Sequence, residues 1–290
     1  MANLKEVRTR IASVSSTQQI TSAMKMVSAA KFRRAQVAIM GMRPYTAMLN
    51  DIITSVGVDD GVQTPYHDQR KPAKVLLVVI TSNKGLCGGF NANVLKEANA
   101  QLAAYRKAGV DELRLITVGK KATEAFSKQE GLVVASHDAL LDNPGFDAIS
   151  ALAESIMTDF REKRYDKVVL VYNQFKNSLT QILSTEQFLP VVPKDESGST
   201  RGPKNDYIYE PNKVDILSEM IPLTLRSQFY RVILDSLASE HGARMTAMQK
   251  ATDNATELLK ELRLSYNKAR QAAITNEIIE IVSGSEALKG

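Results

Sequence analysis

Apolar residues at Leu4, Val7, Ile11 and Val14 step by three, four and three, which puts them on one stripe of a helix. Asn3 stands where a cap is needed, and Glu6 three residues on completes a capping box. The stripe turns polar at Thr17 and Gln18, and apolar residues resume at Ile20, Met24 and Val27. Helical spacing persists beyond Arg43-Pro44 through Met48, Ile52 and Ile53, so Pro44 predicts a kink rather than an end, and Gly57 a stop. The pattern predicts one long helix over 3–56. A second is predicted over 223–283, because no proline follows Pro222. Within it Met245, Met248, Thr252, Ala255, Leu259, Leu262, Tyr266, Ala269 and Ala273 keep the spacing of a coiled-coil seam. At about 1.5 Å per residue the two helices would run roughly 80 and 90 Å, too long for the inside of a compact domain. Pairing with each other is the economical solution, and it must be antiparallel because a whole domain separates them. Small and polar seam residues (Ala, Thr, Gln, Ser) allow close approach and leave the outer faces for other contacts.

Between the helices the period changes. Lys74–Thr81 carries an unbroken aliphatic run, Val75 to Ile80, as in a strand buried on both faces. Helical and strand patterns then alternate: helix over 91–107, strand over 113–118, helix over 120–128, short strand over 132–135, helix over 146–163 and strand over 167–175. Residues 180–191 predict an edge strand ending at Pro190. The series predicts an α/β fold with a mixed, mostly parallel sheet. The expected organisation is an N-terminal coiled-coil helix (1–57), a central Rossmann-like α/β domain (58–210) and a C-terminal coiled-coil helix (211–290). Residues 193–206 read as a polar loop.

Composition narrows the class. The chain has 290 residues, 44% hydrophobic and 24% charged, ordinary for a globular protein. Its longest aliphatic run is far short of the roughly 20 residues a membrane helix needs. The polar, charged N-terminus carries no visible secretory signal. Cys87 stands alone, which excludes an internal disulfide and suits a reducing compartment; with His67, His137 and His241 scattered, a structural zinc site is not expected. Net charge is +5, and residues 1–56 hold eight basic residues against two acidic ones. No acid lies between Glu6 and Asp51, a stretch that includes Lys25, Lys31, Arg33 and Arg34. Such a band implies an acidic partner: nucleic acid, membrane phosphate or an acidic protein face.

Candidate chemistry is sparse. The loop Lys84–Asn91 lies between a strand and a helix, where phosphate loops sit, but its glycines match neither a Walker nor a dinucleotide fingerprint. Cys87 within it has no neighbouring histidine in sequence and reads as a small buried thiol. Asp59-Asp60 reads as a solvated pair. No nucleophile elbow or metalloprotease motif is present, so no intrinsic catalysis and no cofactor are expected.

Both ends carry longer motifs. The stretch RTRIASVSSTQQITSAMKMVSAAKFRRAQ and the C-terminal stretch from ASEHGARM to EIVSG, with SNKGLCGGFN and YIYEP between them, resemble the gamma subunit of rotary F-type ATP synthases of bacterial type. The resemblance covers the whole chain. It implies a central-stalk rotor, not itself catalytic, that couples proton flow through a membrane c ring to ATP synthesis or hydrolysis in an alpha3beta3 ring and influences ATPase regulation. Implied partners are that hexamer, the epsilon subunit and the c ring, with one copy of this chain per complex and no nucleic acid. The implied location is peripheral, on the cytoplasmic face of the bacterial inner membrane. By the same resemblance Met24, Lys25, Lys31, Arg33 and Arg34 face acidic loops of the beta subunits. Arg244, Gln271 and Thr275 meet a catalytic-subunit loop. Tyr207, Tyr209 and Glu210 meet the c ring and epsilon, and Ile274, Ile278, Ile281 and Val282 form an apolar tip turning in a bearing. No cysteine pair accompanies loop 193–206, so a dithiol switch is not expected. The basic band also fits a coiled-coil module that binds nucleic acid, which would show a steep salt dependence of duplex binding.

Overall fold

The computed structural model describes residues 4–57, 65–177, 180–191 and 213–287. Two compact units divide it: residues 29–244, and residues 1–28 with 245–290. Both long helices, α1 (Leu4–Gly57) and α5 (Lys213–Ala287), contribute to each unit.

The larger unit is built on a five-stranded sheet: β1 (Lys74–Ile80), β2 (Glu112–Val118), β3 (Val133–Ser136), β4 (Lys167–Phe175) and β5 (Gln181–Leu189). The strand order is β3-β2-β1-β4-β5. All neighbours are parallel except β4 and β5, so the sheet is mixed and mostly parallel with an antiparallel edge. Crossover helices α2 (Phe90–Lys107), α3 (Lys120–Phe126) and α4 (Phe146–Arg161) join the parallel strands. A 3-10 turn over Asp138–Leu141 was not foreshadowed by the periodicity.

The unbroken aliphatic run of β1 serves two cores at once. Leu76, Val78 and Ile80 pack with α4 residues Ile149, Ile156 and Phe160 and α5 residues Leu225, Phe229 and Ile233. Val75, Leu77 and Val79 pack on the opposite face with Val94, Ala98 and Leu102 of α2 and Phe126 of α3. A backbone constraint fixes one crossover: Gly119, between β2 and α3, has φ +107, and a Cβ there would stand 2.3 Å from the Thr81 carbonyl oxygen. Only glycine fits.

The second long helix starts at Lys213, ahead of the predicted 223, and runs through Pro222. Its first turns bury Leu217 and Ile221 in the sheet core, and this burial offsets the backbone bond that Pro222 forgoes. α1 likewise continues through Pro44. Within the larger unit α1 meets α5 where Ile39 packs on Leu234 and Ala238.

In the smaller unit the two helices pair antiparallel. The Gln18 amide donates to the Thr256 hydroxyl at 2.7 Å, and Thr21 and Thr252 hydroxyls lie 2.8 Å apart, so rising numbers on one helix meet falling numbers on the other. Val7, Thr21 and Ser28 of α1 and Met248, Ala255 and Leu259 of α5 are its buried residues. The seam differs from the expectation that it resumes at Ile20 and Val27. Those side chains are 60% and 58% exposed, while Thr21 and Ser28 are 8% and 2% exposed. The three-and-four step continues from Val14 through Gln18 and Thr21, and the hydroxyls satisfy themselves on helix carbonyls, Ser28 on Met24 and Thr21 on Gln18.

Candidate functional site

In the smaller unit the helices expose most of their circumference. Met24 and Lys25 are half-buried beside the seam, and no residue of α5 beyond Arg270 is buried. Gln271 and Thr275 sit one turn apart, and the Thr275 hydroxyl donates to the Gln271 carbonyl at 3.0 Å. Ile274, Ile278, Ile281 and Val282 are all exposed, joined by Ile279, which the sequence reading did not single out. At about 100° per residue these five side chains fall within roughly 160° of arc, and the four expected ones within about 100°, so they form one apolar face of the helix rather than a ring around it.

In the larger unit Lys31, Arg33 and Arg34 are exposed on α1. None of them, nor Lys25, enters an ion pair among the described residues. Lys31 nevertheless acts at a distance on His241, whose burial, together with Lys31 and Arg244, pushes its pKa down to about 4.

Arg244 behaves unlike the other carried-over positions. It is 8% exposed. One guanidinium nitrogen donates to the Lys84 carbonyl at 3.0 Å and to Glu240 at 2.6 Å, and another donates to the Gly85 carbonyl. It therefore lies neither on a solvated helix face nor on an open contact surface of the free chain. The i, i+4 spacing of Glu240 and Arg244 was visible in sequence, but their burial depends on the distant loop.

That loop is internally satisfied. The Asn91 carboxamide accepts from the Ser82 amide at 2.9 Å and donates to the Ser82 hydroxyl at 2.8 Å and the Cys87 sulfur at 3.2 Å. Ser82 in turn donates to the Lys84 carbonyl at 2.7 Å. Cys87 is buried, in keeping with the reading as a small core thiol. Leu86 holds φ +62 with its side chain exposed. The loop's glycines serve the turn and its polar groups bind one another. Among the described residues no cluster of His, Cys, Asp or Glu could hold a metal ion.

Sequence reasoning missed a second polar cluster. Glu186 on β5 accepts from the Tyr172 hydroxyl at 2.9 Å, from Gln228 at 2.7 Å and from Arg231 at 3.3 Å. Arg231 also reaches Asp235 at 3.4 Å. Burial and the Glu186 carboxylate push the Tyr172 hydroxyl well above its ordinary value. Tyr207, Tyr209 and Glu210 lie outside the described residues.

A pair of long helices in one unit and a mixed sheet with its helices in the other define an α/β chain whose exposed apolar and basic residues are spread along helices rather than gathered in a cleft. A family model described as ATP synthase matches residues 3–288. The ATP synthase gamma chain of Flavobacterium johnsoniae is 53% identical over 293 residues, covering 100% of both chains. That of Geobacter metallireducens is 43% identical over 291 residues, again covering 100% of both. The chain belongs to the gamma-chain family of the ATP synthases. Among solved structures, the central stalk and c ring of Tetrahymena thermophila mitochondrial ATP synthase contains a chain 27% identical, with TM-score 0.59, covering 80% of this chain and 99% of that one. A chain of the Euglena gracilis mitochondrial ATP synthase shares the fold at TM-score 0.70 and 21% identity, covering 98% of this chain and 94% of that one.

Proposed function

We propose that this chain is the rotor of an ATP synthase central stalk, coupling proton flow through a membrane c ring to ATP synthesis or hydrolysis in an alpha3beta3 ring, with an influence on ATPase regulation. The observation that carries this reading is the thin seam. Residues 4–28 and 245–270 pair through Thr, Gln, Ser, Ala and a few larger residues, and their outer circumference stays exposed. A shaft that turns against three equivalent partners needs slimness and an outer face without deep anchor residues, which would lock it in one position.

In this reading Gln271 and Thr275 meet a catalytic-subunit loop, and Arg244, 27 residues away in sequence and buried against the Lys84–Gly85 loop, meets the ring at a contact of its own. Ile274, Ile278, Ile281 and Val282 turn in an apolar bearing. The basic residues Lys25, Lys31, Arg33 and Arg34, with Met24 beside them, face acidic beta-subunit loops, where long-range attraction guides without fixing a position. Tyr207, Tyr209 and Glu210 meet the c ring and epsilon. The chain holds no catalytic group of its own, and nucleotide chemistry resides in the ring. No helix among the described residues is long and apolar enough to cross a membrane. The proposed location is peripheral, on the cytoplasmic face of the inner membrane.

The test is affinity purification of the tagged chain from a mild detergent extract. Co-purification of an alpha3beta3 hexamer and an oligomeric membrane ring, with ATP hydrolysis that drives proton uptake into vesicles, is expected. Recovery of the chain without either assembly would overturn the reading.

A further inference from the structure

We infer that two arginine clamps, at Arg231 and Arg244, key α5 to the sheet so that the helix cannot roll about its own axis when torque passes between them. The inference rests on the rotor reading above.

Apolar contacts hold α5 on the sheet: Leu225, Phe229, Ile233 and Leu237 lie in the same core as β1 and β4. Such contacts resist separation, but hydrophobic burial has no direction, and a small roll exchanges one apolar neighbour for another. Directional bonds with buried charge do resist a roll, because misplacing them strands a desolvated group.

The larger unit has two such sets. At the first, Arg231 Nη2 lies 3.3 Å from both carboxylate oxygens of Glu186 on the edge strand β5, and Gln228 donates to the same carboxylate at 2.7 Å. Tyr172 on β4 holds Glu186 from behind at 2.9 Å. At the second, Arg244 donates to two successive loop carbonyls, Lys84 and Gly85, just beyond β1. Each arginine is braced by an acid one turn away on its own helix, Asp235 for Arg231 and Glu240 for Arg244. Both acids are buried.

Placement makes the pair more than a duplicate. Thirteen residues separate the arginines, about 20 Å along the helix and about 140° around it. A roll that shortens one attachment stretches the other, so the two together oppose rotation in both senses. Arg231 and Arg244 are positioning residues: they touch no nucleotide and act on the angle of the helix.

The test compares complexes carrying the parent chain, the Asp235→Asn/Arg231→Met pair, the Glu240→Met/Arg244→Met pair and all four changes together. Each pair removes an arginine with the buried acid that braces it, and Glu186 keeps Tyr172 and Gln228, so no buried carboxylate loses its arginine. Three quantities are read: ATP hydrolysis, protons pumped per ATP against an opposing gradient, and the angular spread of a rod fixed to the sheet domain while the ring is immobilised. Hydrolysis within about twofold of the parent is expected for the Arg231 pair; the Arg244 pair is read by pumping per ATP and angular spread, and the four-change variant should lose pumping per ATP by more than the product of the two pairs, because each clamp covers for the other. The angular spread should widen in the same order. If the four-change variant does not assemble, Arg231→Lys/Arg244→Lys, which keeps charge but loses the fork, takes its place under the same criteria. Parent-level pumping per ATP and parent-level angular spread would overturn the inference while leaving the rotor reading intact. A parent complex that does not turn at all would sink both.

Discussion

The same two helices are held in two ways along their lengths. Where α5 lies on the sheet, residues 232–240 are buried without a break. From residue 245 onward burial shrinks to Met248, Ala255 and Leu259, and beyond 270 it vanishes. The partner surface changes in step: Leu, Ile, Val and Phe in the larger unit, against Thr21, Ser28 and Gln18 in the smaller one. A helix buried on all sides has its position fixed by shape. A helix buried along one stripe is fixed only by a seam, and its remaining faces are open to other molecules. One amphipathic pattern thus gives a core element in one place and a recognition element in another.

Core truncation gives the largest expected difference. Phe229 is fully buried, with its ring 5.6 Å from that of Phe188. Phe229→Ala should cost about 3–5 kcal/mol, whereas Leu259→Ala in the thin seam should fall near the lower end of the roughly 2–5 kcal/mol range for a buried leucine. Urea midpoints of the two variants decide this, and equal losses would break the comparison.

Acid should next separate the units. Burial, with the charges of Lys31 and Arg244, pushes His241 down to about 4, and burial also lowers His67 and His137. All three histidines of the chain belong to the larger unit. For His241 the unfolded chain, with its imidazole near 6.5, binds the proton more readily than the folded one. The stability held above pH 6.5 is therefore lost as pH falls toward 4, at up to about 1.4 kcal/mol per pH unit and on the order of 3 kcal/mol in all. His241→Gln should flatten the change in urea midpoint between pH 7 and pH 5. An unchanged pH slope would show that the buried imidazole is not responsible.

Much of this contrast could be read from the chain. Period-3.6 spacing gave both long helices, and the unbroken run of β1 gave a strand covered on both faces, because burial on two sides removes any need for alternation. Local pattern failed where distant groups decide. Ile20 and Val27 drew the seam toward themselves by hydrophobicity, yet helix geometry turns Thr21 and Ser28 inward. Pro222 read as a boundary because its cost is local, whereas the compensating burial of Leu217 and Ile221 is tertiary. The clusters at Arg231 and Arg244 join residues 45 and 160 positions apart, a separation that no window of sequence spans. Gln271, Thr275 and Ile274 came from the family resemblance rather than from the hydrophobic pattern, and all three are exposed on α5.

A smaller effect sharpens the account of the polar seam. Thr21 and Thr252 face each other at 2.8 Å while each hydroxyl also reaches a carbonyl of its own helix. Thr21→Val alone should cost roughly 0.5–1 kcal/mol by depriving Thr252 of a partner, and Thr21→Val/Thr252→Val together should be near neutral. A double-mutant cycle in urea reads the coupling, and strict additivity would mean that the hydroxyls pack without bonding.

The smallest expected effect on the fold belongs to the basic band, and there stability and function should part company. Lys31, Arg33 and Arg34 are exposed, Lys25 is half-buried, and none is in an ion pair among the described residues. Exposed charges contribute about 0.2–1 kcal/mol each when paired, so a single Lys→Gln change should leave the urea midpoint almost where it was. Around a helix of about 100° per residue Lys25 and Arg33 point about 80° apart, and Lys31 and Arg34 about 60° apart, so no single acidic loop could satisfy them all. A broad positive field suits a surface presented to three equivalent loops in turn. Changing Lys25, Arg33 and Arg34 together to Glu replaces attraction with repulsion, and ATP-driven proton pumping in vesicles should fall although the chain still folds and assembles. The defect should shrink as ionic strength rises, because the Debye length is about 8 Å near 0.15 M and shorter above it. A defect indifferent to salt would assign these residues fixed contacts instead of a field. Parent-level pumping at low salt would make the band a solvated helix face, and contact with a turning partner would then rest on the apolar face at Ile274–Val282.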